Sequence, residues 1–218
     1  MLYEVVMIQL NIGLLQLKAS KENVMKVLET NRLILRTWQE SDLDKMYQIN
    51  QDSRVMEFFP AKPDRVATEK FIVGANGQLE KLGYTLYAVE LKENREFIGF
   101  IGLSLAEFES HFTPAVEIGW RLAFDYWNQG YATEGALAVL EHGFMNLNLE
   151  KIVSFTAKLN TRSWRVMKKI GLKYDKKDDF YHPNVDKNDK LCLHVLYRLT
   201  QVEYLKLKGC DRNRWSYE

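Results

Sequence analysis

The segment 116–144, VEIGWRLAFDYWNQGYATEGALAVLEHGF, constrains this chain more than any other stretch. A strand expected over Ala115–Leu122 crosses a short loop and runs straight into a helix expected over Gly130–Met145. Ala132, Ala136, Val139, Leu140 and Phe144 form one apolar stripe on that helix, so it must pack on a partner surface. A strand feeding directly into an amphipathic helix implies helices layered on a sheet. The junction also carries chemistry. Gly130 and Ala132 leave the backbone bare, and the first turn of a helix presents unpaired N–H groups and partial positive charge. Such a junction suits a phosphate or pyrophosphate, with Thr133 adding a hydroxyl donor. An ordinary turn that needs glycine for its geometry is the alternative. The segment lacks the GK[ST] ending of a P-loop and the glycine spacing of a dinucleotide fingerprint, which disfavours ATP and NAD.

The flanking sequence extends the layered reading. Leu33–Arg36 alternates as a short strand, and Ser41 with Asp42 and Asp44 reads as an N-cap and acidic first turn of a helix. A second helix is expected from about Asp64 to Leu82, bent or split at Gly74 and Gly77. Tyr84–Leu91, Glu96–Leu105 and Ala115–Leu122 follow as three strands of an antiparallel meander. Beyond the central helix come a strand at Lys151–Ala157, a helix at Thr161–Ile170, a short strand at Leu172–Tyr174 and a last strand at Leu191–Leu199. The order predicts one α/β (α+β layered) domain over residues 25–200. Residues 1–24 read as an N-terminal extension and residues 201–218 as a polar C-terminal tail.

Composition narrows the function classes. The 218 residues suffice for one domain with a substantial core, and 46% are hydrophobic. Thirty Lys plus Arg against 29 Asp plus Glu leaves a net charge of +1, so no long-range field draws the chain to nucleic acid or to an anionic membrane. Cys192 and Cys210 form no CxxC pair and no zinc spacing, so no metal is expected. No signal-peptide pattern and no membrane-length apolar run is evident, so a cytoplasmic location is expected.

YWNQGYATEGA resembles the acetyl-CoA pyrophosphate loop of the GCN5-related N-acetyltransferases (GNAT), whose pattern is Q/R-x-x-G-x-G/A. Gly130 and Ala132 match, while Trp127 stands where Gln or Arg is usual, as in the YWxxGYATEA form of the branch resembling RimJ/RimL. NTRSWRVMKKIGLKY is similar to that branch's N-x-x-S-x-x-V-M-x-K-x-G-F motif, matching at Asn160, Ser163, Val166, Met167, Lys169 and Gly171. The opening ETNRLILRTWQESDLD and the closing HPNVDKNDKLCLHVLYRL also resemble the branch, so the likeness spans about residues 28–200.

The resemblance implies a mostly antiparallel sheet of about seven strands, splayed at the acetyl-CoA site, and acetyl transfer to a primary amine by direct attack in a ternary complex. The acceptor classes it implies are a protein N-terminus or a small amine, with a possible homodimer. Cofactor contacts are expected from Ile118, Gly119, Trp120 and Leu122 of the splayed strand. Trp127, Asn128, Gln129, Gly130, Tyr131, Ala132 and Thr133 of the loop join them, with Asn160, Ser163 and Met167. Glu117, an acid in an apolar strand, is the candidate base, because desolvation raises its pKa. A solvent-facing position or an ion pair with Arg121 is the alternative. Met167 stands where many members carry the tyrosine that protonates coenzyme A; Ser163 matches the serine proposed for that role in RimL-like enzymes, with a helix first-turn hydroxyl that does no chemistry the alternative. Asn160 is either a cofactor ligand or a helix cap. His182 and His194 are weaker catalytic candidates. Phe58, Phe59 and Tyr181 are candidates for an apolar wall over the acceptor slot, with core packing the alternative for the two phenylalanines. Residues 52–82 and 175–190 are expected to set acceptor specificity. A non-catalytic acyl-CoA-binding regulator is the competing class.

Overall fold

The computed structural model describes residues 24–210, so the expected extension 1–24 lies, apart from Val24, outside the described residues. Nine strands form one sheet: β1 (Lys26–Glu29), β2 (Leu33–Arg36), β3 (Leu86–Leu91), β4 (Phe97–Ala106), β5 (Ala115–Leu122), β6 (Lys151–Ala157), β7 (Lys173–Tyr174), β8 (Phe180–Tyr181) and β9 (Leu193–Thr200). The order is β1-β2-β3-β4-β5-β6-β9-β7, with β8 also paired to β9. All neighbours are antiparallel except β5 and β6, whose chains run the same way. The sheet exceeds the expected seven strands by β1 and β8, which have four and two residues and are too short to carry a readable alternation.

Helices cover both faces. α3 (Tyr131–Glu141), α4 (Thr161–Lys169) and α5 (Gln201–Cys210) pack their apolar sides on one face around Ile118, Val139, Phe144 and Val195. α1 (Asp42–Gln51) and α2 (Arg65–Leu82) cover the other, around Trp38, Met46, Ile72 and Phe100. Phe108, Phe112, Phe155, Phe180 and Leu196 make a third, aromatic cluster. Burial of these side chains at about 25 cal/mol per Å² is the main driving force for the layered packing.

Three local expectations change. α2 is continuous through Gly74 and Gly77, because Asp64 caps it through the Ala67 N–H at 2.7 Å and Gly83 ends it in the left-handed region at φ 76°. Ser41 makes no side-chain cap on α1, and Asp42 turns inward to a buried bidentate pair with Arg36, both bonds 2.7 Å. Residues 201–210, expected as polar tail, form α5 instead. Tyr204 is buried with its ring 5.0 Å from that of Phe144, and Gln201 donates to the Phe144 carbonyl at 2.6 Å. Val202, Leu205 and Leu207 are exposed beside the buried Tyr204, so the apolar residues of this segment form no single buried stripe.

Candidate active site

The parallel pair β5–β6 makes the site. Their register holds at one position, Glu117 opposite Val153. Beyond it the strands form the two walls of a cavity of about 690 Å³, with residues 118–122 on one side and 154–157 on the other. The Ser154 hydroxyl donates to the Ile118 carbonyl at 2.9 Å, so a side chain closes the narrow end of the wedge. At the wide end β5 runs through a 3₁₀ turn, Phe124–Tyr126, into α3. Gly130 caps α3 at φ 85°, a conformation glycine adopts without strain. Tyr131, Ala132 and Thr133 begin the helix and line the cavity, and their N–H groups lie in the first turn, where no intrahelical acceptor exists. Trp127 lines it too, its indole fixed by a 2.8 Å bond to the Leu122 carbonyl. Arg162, Arg165 and Lys169 of α4 face the same space.

Register fixes the opposite side of the wedge. Ser104 pairs with Glu117, Phe100 with Arg121, and Ala157 with His194, so these side chains share the α1–α2 face of the sheet with Phe155. All of them belong to the cavity lining, with Phe58 and Phe59 from the α1–α2 connection and His182 from the β8–β9 loop. Burial pushes the Glu117 carboxyl up to about 8, against a weak opposing contact from the Ser104 hydroxyl at 3.4 Å. Arg121 does not pair with it. Its Nη1 donates to Asn50 Oδ1 at 2.6 Å, its guanidinium lies 4.2 Å from the Phe59 ring centre, and burial lowers it to about 10.

The cavity gathers Ile118, Gly119, Trp120, Leu122, Trp127, Asn128, Gly130, Tyr131, Ala132, Thr133, Asn160 and Ser163 beside Glu117. Two expected contacts fall elsewhere. Met167 is packed in the core, because the inward face of α4 points to the sheet. Gln129 turns its side chain back to the Asp125 carbonyl at 2.7 Å. Asn160 is the N-cap of α4, accepting from the Ser163 N–H at 3.2 Å and donating to Thr156 Oγ1 at 3.0 Å. Tyr181 is 68% exposed and stands outside the lining, whereas Phe58 and Phe59 are cavity walls rather than core. Arg32 was missed. It lies on the turn before β2, and its Nε bonds Glu134, its Nη1 the Gln129 carbonyl at 3.0 Å, and its guanidinium covers the Tyr131 ring at 4.3 Å. No local pattern links a residue in the first turn of the fold to a loop a hundred positions away.

Residues 32–173 match the family model described as the acetyltransferase (GNAT) domain. The chain is 31% identical over 179 residues to an uncharacterized N-acetyltransferase, YnaD, of Bacillus subtilis, covering 81% of this chain and 98% of that one. A GNAT-family acetyltransferase structure from Bacillus anthracis is 26% identical, with a TM-score of 0.66 over 82% of this chain and 100% of the other. RimL, a ribosomal L7/L12 alpha-N-protein acetyltransferase solved with coenzyme A, shares the fold at 16% identity and a TM-score of 0.65, over 81% of this chain and 98% of that one. The splayed strands, the glycine-opened helix and these likenesses have one meaning: the chain belongs to the GNAT family and is an N-acetyltransferase.

Proposed function

We propose that this chain, a member of the RimJ/RimL-like branch, transfers an acetyl group from acetyl-CoA to a primary amine bound on the α1–α2 face, with Glu117 as the base. The position of Glu117 carries this reading: a carboxyl raised to about 8 at the apex of the wedge between two substrate compartments. A base with that affinity takes a proton from an alkylammonium near neutral pH far better than a surface glutamate. The residues present fit acetyl-CoA. The first-turn N–H groups of Tyr131, Ala132 and Thr133 suit a pyrophosphate, and Arg162, Arg165 and Lys169 add positive charge along the same cavity. When bound, acetyl-CoA supplies an activated acyl carbon and a thiolate leaving group.

The chain's own residues then have separable tasks. Ile118, Gly119, Trp120 and Leu122 line the pantetheine wall, and the backbone N–H groups of this strand polarise the acyl oxygen. Asn160 holds the start of α4, which sets Ser163 at the cavity, where its hydroxyl gives a proton to the departing sulfur. Glu117 takes a proton from the bound ammonium, which frees the nitrogen lone pair for attack on the acyl carbon. Structural neighbours include a ribosomal L7/L12 alpha-N-protein acetyltransferase and a spermidine N-acetyltransferase, which represent two acceptor classes. Either class fits a transferase that acts on a primary amine.

Calorimetric titration with acetyl-CoA, followed by thiol release over a panel of amines and N-terminal peptides, tests the reading. Micromolar binding with coenzyme A release for one acceptor class supports it. Binding without release to any amine would move the assignment to an acyl-CoA-binding regulator.

A further inference from the structure

On the acceptor face, opposite the wedge from α3, two histidines of different origin stand together. His194 is on β9 and His182 follows β8, and their ring centres are 4.9 Å apart. Phe155, Phe180 and Phe108 surround them, with ring centres 6.0, 6.1 and 4.5 Å from that of His182. Both imidazoles line the cavity that holds Glu117.

The backbone fixes the tautomer of each ring. The His194 Nδ1 lies 3.1 Å from the Cys192 carbonyl, and a carbonyl only accepts, so Nδ1 carries the proton and Nε2 presents a lone pair. The His182 Nδ1 accepts from the Asn184 N–H at 3.2 Å, so in the neutral ring the proton is on Nε2. Burial lowers both groups, His194 to about 4, which keeps the pair uncharged at neutral pH. Among the described residues neither Nε2 has a hydrogen-bond partner. One acceptor and one donor are therefore side by side, in an aromatic pocket, facing the same compartment as the base.

We infer that His194 and His182 grip the acceptor substrate. The His194 Nε2 accepts an N–H of the attacking amine, and the His182 Nε2–H donates to a carbonyl on the adjacent carbon. This rests on the transferase reading above and deepens it. The pair selects an amine that lies next to a carbonyl, as in an amino-acid amide or the first residue of a peptide, over a plain alkylamine. The charge on this face agrees: Glu117 is the single carboxylate among the lining residues and Arg121 shares its side of the sheet, so a polycationic acceptor finds no surplus of negative charge there. Phe58, Phe59, Phe100 and Phe155 favour an apolar first side chain.

Three acceptors separate the possibilities: phenylalaninamide, 2-phenylethylamine, which lacks only the carboxamide, and spermidine. The wild type should prefer phenylalaninamide over 2-phenylethylamine by about tenfold in kcat/KM, the discrimination expected of one hydrogen bond made in a buried site. His182→Ala should erase that preference through the KM of phenylalaninamide while leaving 2-phenylethylamine within about twofold. His194→Ala should raise the KM of both, and His194→Gln, which keeps an acceptor oxygen, should recover part of the loss. Unchanged melting temperature and acetyl-CoA affinity in each variant exclude misfolding as the cause. A preference untouched by His182→Ala, or a wild type that favours spermidine, would overturn the inference with acetyl transfer intact. A wild type that releases coenzyme A with none of a wider amine panel would overturn the transferase reading itself.

Discussion

Arg32 Nε and Glu134 Oε2, 102 residues apart in the chain, meet at 2.6 Å across the outside of the α3 N-terminus. The Arg32 N–H reaches the other oxygen of the same carboxylate at 2.8 Å, and Thr30 Oγ1 donates to it at 2.6 Å. A guanidinium on the turn between β1 and β2 thus clamps the loop whose first position, Trp127, is not basic. Its Nη2 also stands 3.3 Å from where a Cβ on Gly130 would lie.

Arg32→Ala should weaken acetyl-CoA binding about fivefold, close to 1 kcal/mol, since charged hydrogen bonds are lost at a half-exposed site where water screens them. Melting temperature should move by only a few degrees. Calorimetry on wild type and variant decides it, and an unchanged Kd would remove Arg32 as the support of the loop.

Glu117→Gln should lower kcat about 10²- to 10⁴-fold with acetyl-CoA affinity preserved. The wild-type rate should climb with pH as the carboxyl ionises near 8, and the variant should lose that limb. Stability supplies an independent check. The folded-state pKa is raised above the unfolded 4.5, so the native state retains a proton the unfolded state has lost, and native stability falls as pH rises from 4.5 through 8. Glu117→Gln should therefore melt higher than wild type at pH 9 and alike at pH 4. Equal melting temperatures at pH 9 would contradict the buried carboxylate.

Ser163→Ala should reduce kcat about tenfold, most visibly at high pH where bulk acid is scarce. Met167→Tyr should not compensate for it. Met167 is 1% exposed in the core, and a larger ring there overpacks the α4 interface by about 1–3 kcal/mol. Thermal melting and single-turnover thiol release on the two single variants and the double separate these effects. Rescue by tyrosine in the double variant would show that position 167 reaches the sulfur.

Arg36→Met should cost about 3–5 kcal/mol, because it strands the buried Asp42 carboxylate, paired at 2.7 Å, and leaves buried Glu90 with Arg95 alone at 2.9 Å. For a chain of this size that corresponds to a fall of about 10 °C or more in melting temperature. The folded fraction should bind acetyl-CoA normally, since Arg36 is outside the cavity lining. A differential scan with a parallel binding titration measures both.

The sequence by itself determined the elements whose period survives burial. The β5–loop–α3 junction, the meander before it, β6 and α4 were all legible. Alternation at 117, 119 and 121 and the stripe 136–140–144 are local consequences of packing one face. The glycine at 130 was legible for a similar reason, because only its own backbone dihedral demanded it. Tertiary structure decided the rest. That Met167 is core and not cavity, that Arg121 pairs with Asn50 and not with Glu117, and that Arg32 braces a loop across the sheet all depend on which surfaces meet. The two histidines, twelve residues apart on the chain, acquire opposite hydrogen-bonding characters only because one ring meets a carbonyl and the other an N–H. Periodicity records which face of an element is buried; the identity of the partner on that face is settled by packing between segments distant in sequence.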